Sequence, residues 1–163
     1  MPARSTESLV TASDADREIV ITRLLDAPRE LVWEAFTNPR HVGLWWGPTG
    51  FTNTVHSIDV RPGGVWVFDM HGPDGTVYPN RIAYTEVRRP ERLAYKHTSD
   101  QEDDPHRFDV VVTFEPQGRR TLLTLRSVFQ TAAARDFVVK EFKAIEGGKQ
   151  TLDKLEQFLK TLS

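Results

Sequence analysis

The sequence predicts an α+β fold: a seven-stranded antiparallel sheet wrapped around a long C-terminal helix, with two short helices after the first strand. Three observations carry this. Between residues 51 and 129 apolar side chains recur with a period of two, the signature of strands with one buried face. The turns between those stretches are too short for a parallel return, which needs a dozen residues or more. From 132 to 162 there is no proline, and Val138, Phe142, Ile145, Gly148, Leu152, Leu155, Leu159 and Leu162 fall at steps of three and four.

Taken in order, residues 17–26 are rich in β-branched side chains and read as the first strand. Ala27-Pro28 stops it, and proline suits a first helical position because its missing N–H would be unpaired there anyway. Leu31, Val32, Ala35 and Phe36 then mark a short helix over 28–36. Thr37-Asn38-Pro39 repeats the cap-plus-proline pattern and opens a second, ending near Trp45-Trp46-Gly47-Pro48. Strands follow at 51–60, 64–71, 76–88, 92–99, 107–115 and 120–129. They are separated by Arg61-Pro62-Gly63-Gly64, Gly72-Pro73-Asp74-Gly75, Arg89-Pro90-Glu91, the acidic stretch Asp100 to His106, and Pro116-Gln117-Gly118. Thr131 caps the final helix, whose roughly 31 residues would span about 46 Å. Residues 1–16 form a polar tail expected to be disordered, and 17–163 make one domain. A sheet with one apolar face needs a cover, which the long helix supplies, and a twisted sheet curling around a helix leaves a hollow suited to a ligand.

Composition narrows the chemistry. The 163 residues contain no cysteine, which removes disulfides, Cys-ligated zinc, iron–sulfur clusters and a catalytic thiol. With 21 Lys+Arg against 23 Asp+Glu the net charge is −2, unlike a nucleic-acid binder or a binder of anionic membranes. No apolar run approaches the ~20 residues of a membrane span, and the N-terminus lacks the apolar core of a secretory signal. A cytoplasmic protein is expected. His41, His56, His71, His97 and His106 show no metal-ligand spacing, and there is no Gly-x-Ser-x-Gly, phosphate loop or dinucleotide fingerprint. Neither metal nor cofactor is expected.

Alternation assigns the concave face. Trp66, Phe68 and Met70 share one side of their strand, as do Asn80, Ile82, Tyr84 and Glu86, then Leu93, Tyr95 and His97, then Val110, Val112 and Phe114. The plain alternative is a solid core. Buried polar tips need partners, however, and two Tyr, a His, a Glu and an Asn among these residues suit a cavity better. Of Trp45 and Trp46, one belongs in the core and the other near the pocket mouth. Gly147-Gly148 costs about 1 kcal/mol per glycine in a helix, which implies either close approach to the sheet or a kink. If Arg89-Pro90-Glu91 closes a hairpin, Tyr84, Glu86 and His97 form a polar end. There a buried Glu86 would hold its proton and donate to a ligand, unless it pairs with an arginine such as Arg126.

Arg-Leu-Leu-Asp-Ala-Pro-Arg-Glu-Leu-Val-Trp-Glu-Ala-Phe-Thr-Asn-Pro (23–39), Trp45-Trp46-Gly47-Pro48, Asp59-Val60-Arg61-Pro62-Gly63-Gly64 and Pro90-Glu91-Arg92-Leu93 resemble the activator-of-heat-shock-protein-90-ATPase homologue family. That family belongs to the START-related, birch-pollen-allergen-like superfamily, which includes polyketide-cyclase and lipid-transport types. The resemblance implies a helix-grip fold with a cavity rather than a reaction. Many relatives carry Trp in the long helix where this chain has Gly148, so a larger or differently shaped pocket is implied. Candidate ligand-binding residues are Trp46, Trp66, Phe68, Met70, Tyr84, Glu86, Tyr95, His97, Phe114, Ile145 and Gly148. A small hydrophobic or aromatic molecule is the expected partner, bound without catalysis. A cyclase-, aromatase- or hydrolase-like enzyme using Glu86, Tyr84 and His97 is the second reading. A stimulator of a chaperone ATPase is the third and weakest, because a lone domain lacks the extra chaperone-docking domain of the eukaryotic activators. A homodimer is also expected.

Overall fold

In the computed structural model, residues 16–99, 104–105 and 107–162 are described; most of the expected tail, residues 1–15, and His106 lie outside them. The alternating apolar residues of Glu18–Leu25 form strand β1. Pro28 then stands at the N-cap of helix α1 (Arg29–Thr37), one position earlier than the sequence suggests, and its carbonyl accepts from Leu31 N and Val32 N. Asn38 ends α1, and its side-chain oxygen accepts from Arg40 N at 2.9 Å, turning the chain into the single-turn helix α2 (Val42–Trp45). Six strands follow: β2 (Thr52–Ile58), β3 (Val65–His71), β4 (Val77–Arg88), β5 (Arg92–Thr98), β6 (Phe108–Gln117) and β7 (Arg120–Phe129).

All pairings are antiparallel, and the order across the sheet is β1-β7-β6-β5-β4-β3-β2. The first two strands therefore lie on opposite edges, with α1 and α2 crossing between them. One irregularity matters for the site. Tyr84 faces Tyr95, but the β4–β5 register then slips, so that Glu86 faces Ala94 and Val87 faces Leu93. Thr85 is the extra residue of a β-bulge, and a bulge inverts the in/out alternation beyond it.

The C-terminal segment is two helices rather than one. Helix α3 (Ala132–Glu141) begins at Thr131, whose hydroxyl accepts from Ala134 N at 3.0 Å. Helix α4 (Ala144–Leu162) follows after a break at Phe142 and Lys143. Lys143 has φ of +51°, a left-handed conformation that ends the regular helical run. Gly147 and Gly148 lie within α4 and do not make the break. No helix among the described residues is long and apolar enough to cross a membrane.

α4 lies over the concave face with Leu152, Leu155 and Leu159 buried. Arg23 of β1 ties it down, its Nη1 lying 2.9 Å from Asp153 and 2.6 Å from Glu156. Beneath one end of α4 the space is solid: Phe114 of β6 meets Trp33 and Phe36 of α1 edge to face, at 5.2 and 5.3 Å between ring centroids. Under the other end it is not.

Candidate functional site

The floor of the hollow is built by cross-strand register. Tyr95, Val110 and Ser127 are successive partners on β5, β6 and β7, and Ile19 of β1 completes that row. His97, Phe108 and Phe129 form the parallel row, while Leu125 and Ile21 begin a third. Gly147, Gly148, Thr151 and Leu152 of α4 roof it, and Trp45, Trp46, Pro48 and Met70 wall one side. The cavity is partly open and has a volume of about 280 Å³, and among the described residues its lining contains no Asp, Glu, Lys or Arg. Beyond Met70, Pro48, Phe142 and Gly147 lies an outer groove of about 450 Å³, lined also by Tyr78, Asn80, Lys143 and Glu146.

The roof can approach the floor because position 148 carries no side chain. A Cβ there would run into Ile21 Cδ1, and one at 147 would lie 3.3 Å from Pro48 Cγ. Close approach to the sheet and to the wall is the reason for both glycines.

The wall is held by main-chain carbonyls. Trp45 donates its indole N–H to Ala35 O at 2.9 Å and is buried. Trp46 follows it in extended conformation, which turns its ring away from the helix direction and into the hollow. Asn53 Nδ2 donates to the carbonyls of Gly43 and Trp46, both at 2.9 Å. Lys154 of α4 sets its ammonium against the carbonyls of Trp46, Pro48 and Phe51, at 3.5, 3.3 and 3.0 Å. Helix and wall are thereby one unit.

Trp46 also decides which predicted residues reach the cavity. Its ring packs edge to face on Trp66 at 5.1 Å, and Trp66 in turn stacks on Phe68 at 3.9 Å. That aromatic pile fills the hollow towards β3. Of the expected ligand-binding set, Trp46, Met70, Tyr95, His97 and Gly148 line the cavity. Trp66, Phe68, Tyr84 and Phe114 are buried in the core and do not line it; Ile145 only packs against the core. Trp45 is in the core, as expected of one tryptophan of the pair, but both line the cavity, and the Trp46 ring packs inside it on Trp66.

Glu86 is on the convex face, contrary to the alternation argument, because of the bulge at Thr85. Its oxygens accept from Arg92 Nε at 2.8 Å and Arg88 Nη2 at 2.6 Å. Those bonds, Arg92's first, hold its carboxyl below the usual range. It is neither a protonated donor nor paired with Arg126, which bonds Glu18. Of the proposed acid–base group Glu86, Tyr84 and His97, only His97 meets the cavity.

Sequence reasoning missed the contributions of β1 and β7, namely Ile19, Ile21, Leu125, Ser127 and Phe129, and the rim residue Phe142. The period-two pattern of those strands carries the signal, since each residue falls on the buried side of its strand.

Two polar groups of the cavity stand out. His97 Nε2 lies 2.7 Å from Asn80 Oδ1. Burial pulls the His97 pKa down to about 4, with the Asp104 charge opposing only in part, so the ring is neutral at pH 7. The Tyr95 hydroxyl has no hydrogen-bond partner among the described residues, and burial, with Tyr84 beside it, pushes its pKa up. It remains a phenol.

Fold and cavity together define a START-like protein: an antiparallel sheet gripping a C-terminal helix over a small apolar chamber. The chain belongs to the family of activator of Hsp90 ATPase homolog 1-like proteins, whose pattern matches residues 26–160. Its structure is similar to the crystal structure of a Nitrosomonas europaea protein, 26% identical, with a TM-score of 0.81 over 94% of this chain and 100% of that one. A Mycobacterium smegmatis protein is likewise 26% identical, with a TM-score of 0.82 over 96% and 99%. A protein of the same family from Silicibacter pomeroyi, 20% identical, shares the fold with a TM-score of 0.73 over 90% and 99%. No curated protein matches the chain.

Proposed function

We propose that the protein binds one small, neutral, largely apolar molecule in the chamber between α4 and the sheet, as a receptor rather than a catalyst. The observation that carries this is a partly open cavity of about 280 Å³ whose described lining has no acidic side chain, lysine or arginine. Drug-sized sites occupy roughly 300–1,000 Å³, so the occupant is a compact molecule. An ionic ligand would leave its charge desolvated and unpaired there. The outer groove, with Lys143 and Glu146 at its edge, is the route of entry.

Native mass spectrometry of protein purified from its own host tests this. The expected result is a bound small molecule, lost on unfolding. A bare polypeptide mass, together with no binding of naphthalene-type probes in titration, overturns it.

A further inference from the structure

The hydrogen bonds around His97 specify more than a greasy hole. Asn80 Nδ2 lies 2.9 Å from the Tyr78 carbonyl. A carbonyl oxygen can only accept, so the amide must turn its NH₂ towards Tyr78. That leaves Oδ1 as the atom 2.7 Å from His97 Nε2, and an amide oxygen can also only accept. His97 must therefore carry its proton on Nε2. In a neutral ring the other nitrogen, Nδ1, is then a lone-pair acceptor.

Nδ1 has no protein partner among the described residues, and it is not one of the fully buried unpaired atoms, so it is open to the space the ring lines. The neighbouring rings, Trp46 at 6.4 Å and Phe108 at 4.9 Å between centroids, make no hydrogen bond to His97, whose side-chain bond is to Asn80. On the next strand position but one, the Tyr95 hydroxyl faces the same cavity without a partner among the described residues and can accept or donate. One obligate acceptor and one adaptable hydroxyl make a polar end.

We propose that Asn80 fixes His97 as a hydrogen-bond acceptor towards the cavity, so that the molecule held there is neutral and presents a hydroxyl or N–H donor, as a phenol does. This rests on the reading that the cavity holds a ligand. Asn80 is a positioning residue: it touches His97 and sets which nitrogen is bare. Replacing it with Leu leaves both tautomers open to His97 and removes the preference for a donor without emptying the cavity.

The test has two independent readouts. Nitrogen NMR of labelled protein at pH 7 reports the tautomer directly: His97 is expected protonated on Nε2 in the native chain and mixed in Asn80→Leu. A native His97 protonated on Nδ1 overturns the proposal whatever binds. Calorimetric titration then compares 2-naphthol, 2-methoxynaphthalene and 2-naphthoate, which share a ring system and differ in the polar group. One hydrogen bond predicts roughly a tenfold preference for 2-naphthol over the methyl ether. The preference should fall to about one in His97→Phe, with both neutral probes still bound. Equal binding of the two neutral probes by the native protein overturns this inference and leaves the cavity reading standing. Tightest binding of the naphthoate overturns the requirement for a neutral molecule. If no probe binds, the cavity reading fails, and this one with it.

Discussion

Gly148 of α4 rests against Ile21 of β1 so closely that a Cβ would meet the Ile21 Cδ1. Both residues line the cavity, so any side chain added at 148 takes its room from the ligand. Gly148→Leu is expected to weaken 2-naphthol binding more than tenfold. Its effect on stability is small, because the gain from replacing a helical glycine, about 1 kcal/mol, offsets the displacement of a flexible Ile21 terminus. Titration and urea unfolding measure the two effects. Unchanged affinity in a folded Gly148→Leu variant would place the ligand elsewhere.

Lys154 holds three carbonyls of the 46–51 loop. Lys154→Met keeps the aliphatic stem and removes the donor. Hydrogen bonds to charged groups are worth about 1.5–3 kcal/mol, and a loss of that order is expected in urea unfolding. Amide exchange should speed up around residues 47–53 while the centre of α4 keeps its protection. Uniform exchange across both segments would show that the lysine does not couple wall to roof.

His97 makes stability depend on pH in a definite direction. Folded, it takes up a proton only near 4; unfolded, it does so near 6.5. Between those values the unfolded chain binds more protons, so stability falls as pH falls from 6.5 towards 4. The full effect is at most about 3 kcal/mol. Urea midpoints of the native protein and His97→Phe, followed from pH 7 to about 4.5, should diverge, with the variant losing less. Parallel curves would mean that His97 charges as readily folded as unfolded.

Glu86 provides a control on the other face. Its pairs with Arg88 and Arg92 are partly exposed, and such pairs contribute at most about 1 kcal/mol. Since its folded pKa is lowered, the contribution is present above the ordinary carboxylate range and fades on acidification. Glu86→Gln should cost less than about 1 kcal/mol at pH 7 and leave probe affinity unchanged. A loss of affinity would contradict its convex placement.

The strands, their order along the chain and their antiparallel pairing were legible because period-two stretches and short turns leave few alternatives. Three features were not. Nothing in Tyr84-Thr85-Glu86 announces a bulge, and a single extra residue there moves Glu86 to the opposite face. Lys143 breaks the helix without glycine or proline, so the 3–4 spacing of apolar residues runs through the break uninterrupted. Trp46 is followed by a glycine and a proline, and the sequence does not say that its ring will roof Trp66 and Phe68 and confine the cavity to the β5–β1 half of the sheet. For Gly148 the sequence left close approach and a kink both open, and the contact with Ile21 inside an unbroken α4 decides for close approach.

Placing β1 against β7 has a consequence for how the chain is made. The partner of Glu18–Leu25 begins at Arg120, some 95 residues downstream. At about 5–20 residues per second, the nascent β1 waits roughly 5–20 s before its sheet neighbour exists. Through that interval Ile19, Ile21 and Leu25, buried in the finished protein, have no sheet to bury against. Its sheet neighbour exists only once the final hairpin, β6–β7, is complete, and α4, which lies over Ile19 and Ile21, is made later still. Pulse proteolysis of ribosome-stalled chains should therefore cut at β1 until both have emerged and not after. Synthesis of the last strand and of the helix after it is what shelters the first.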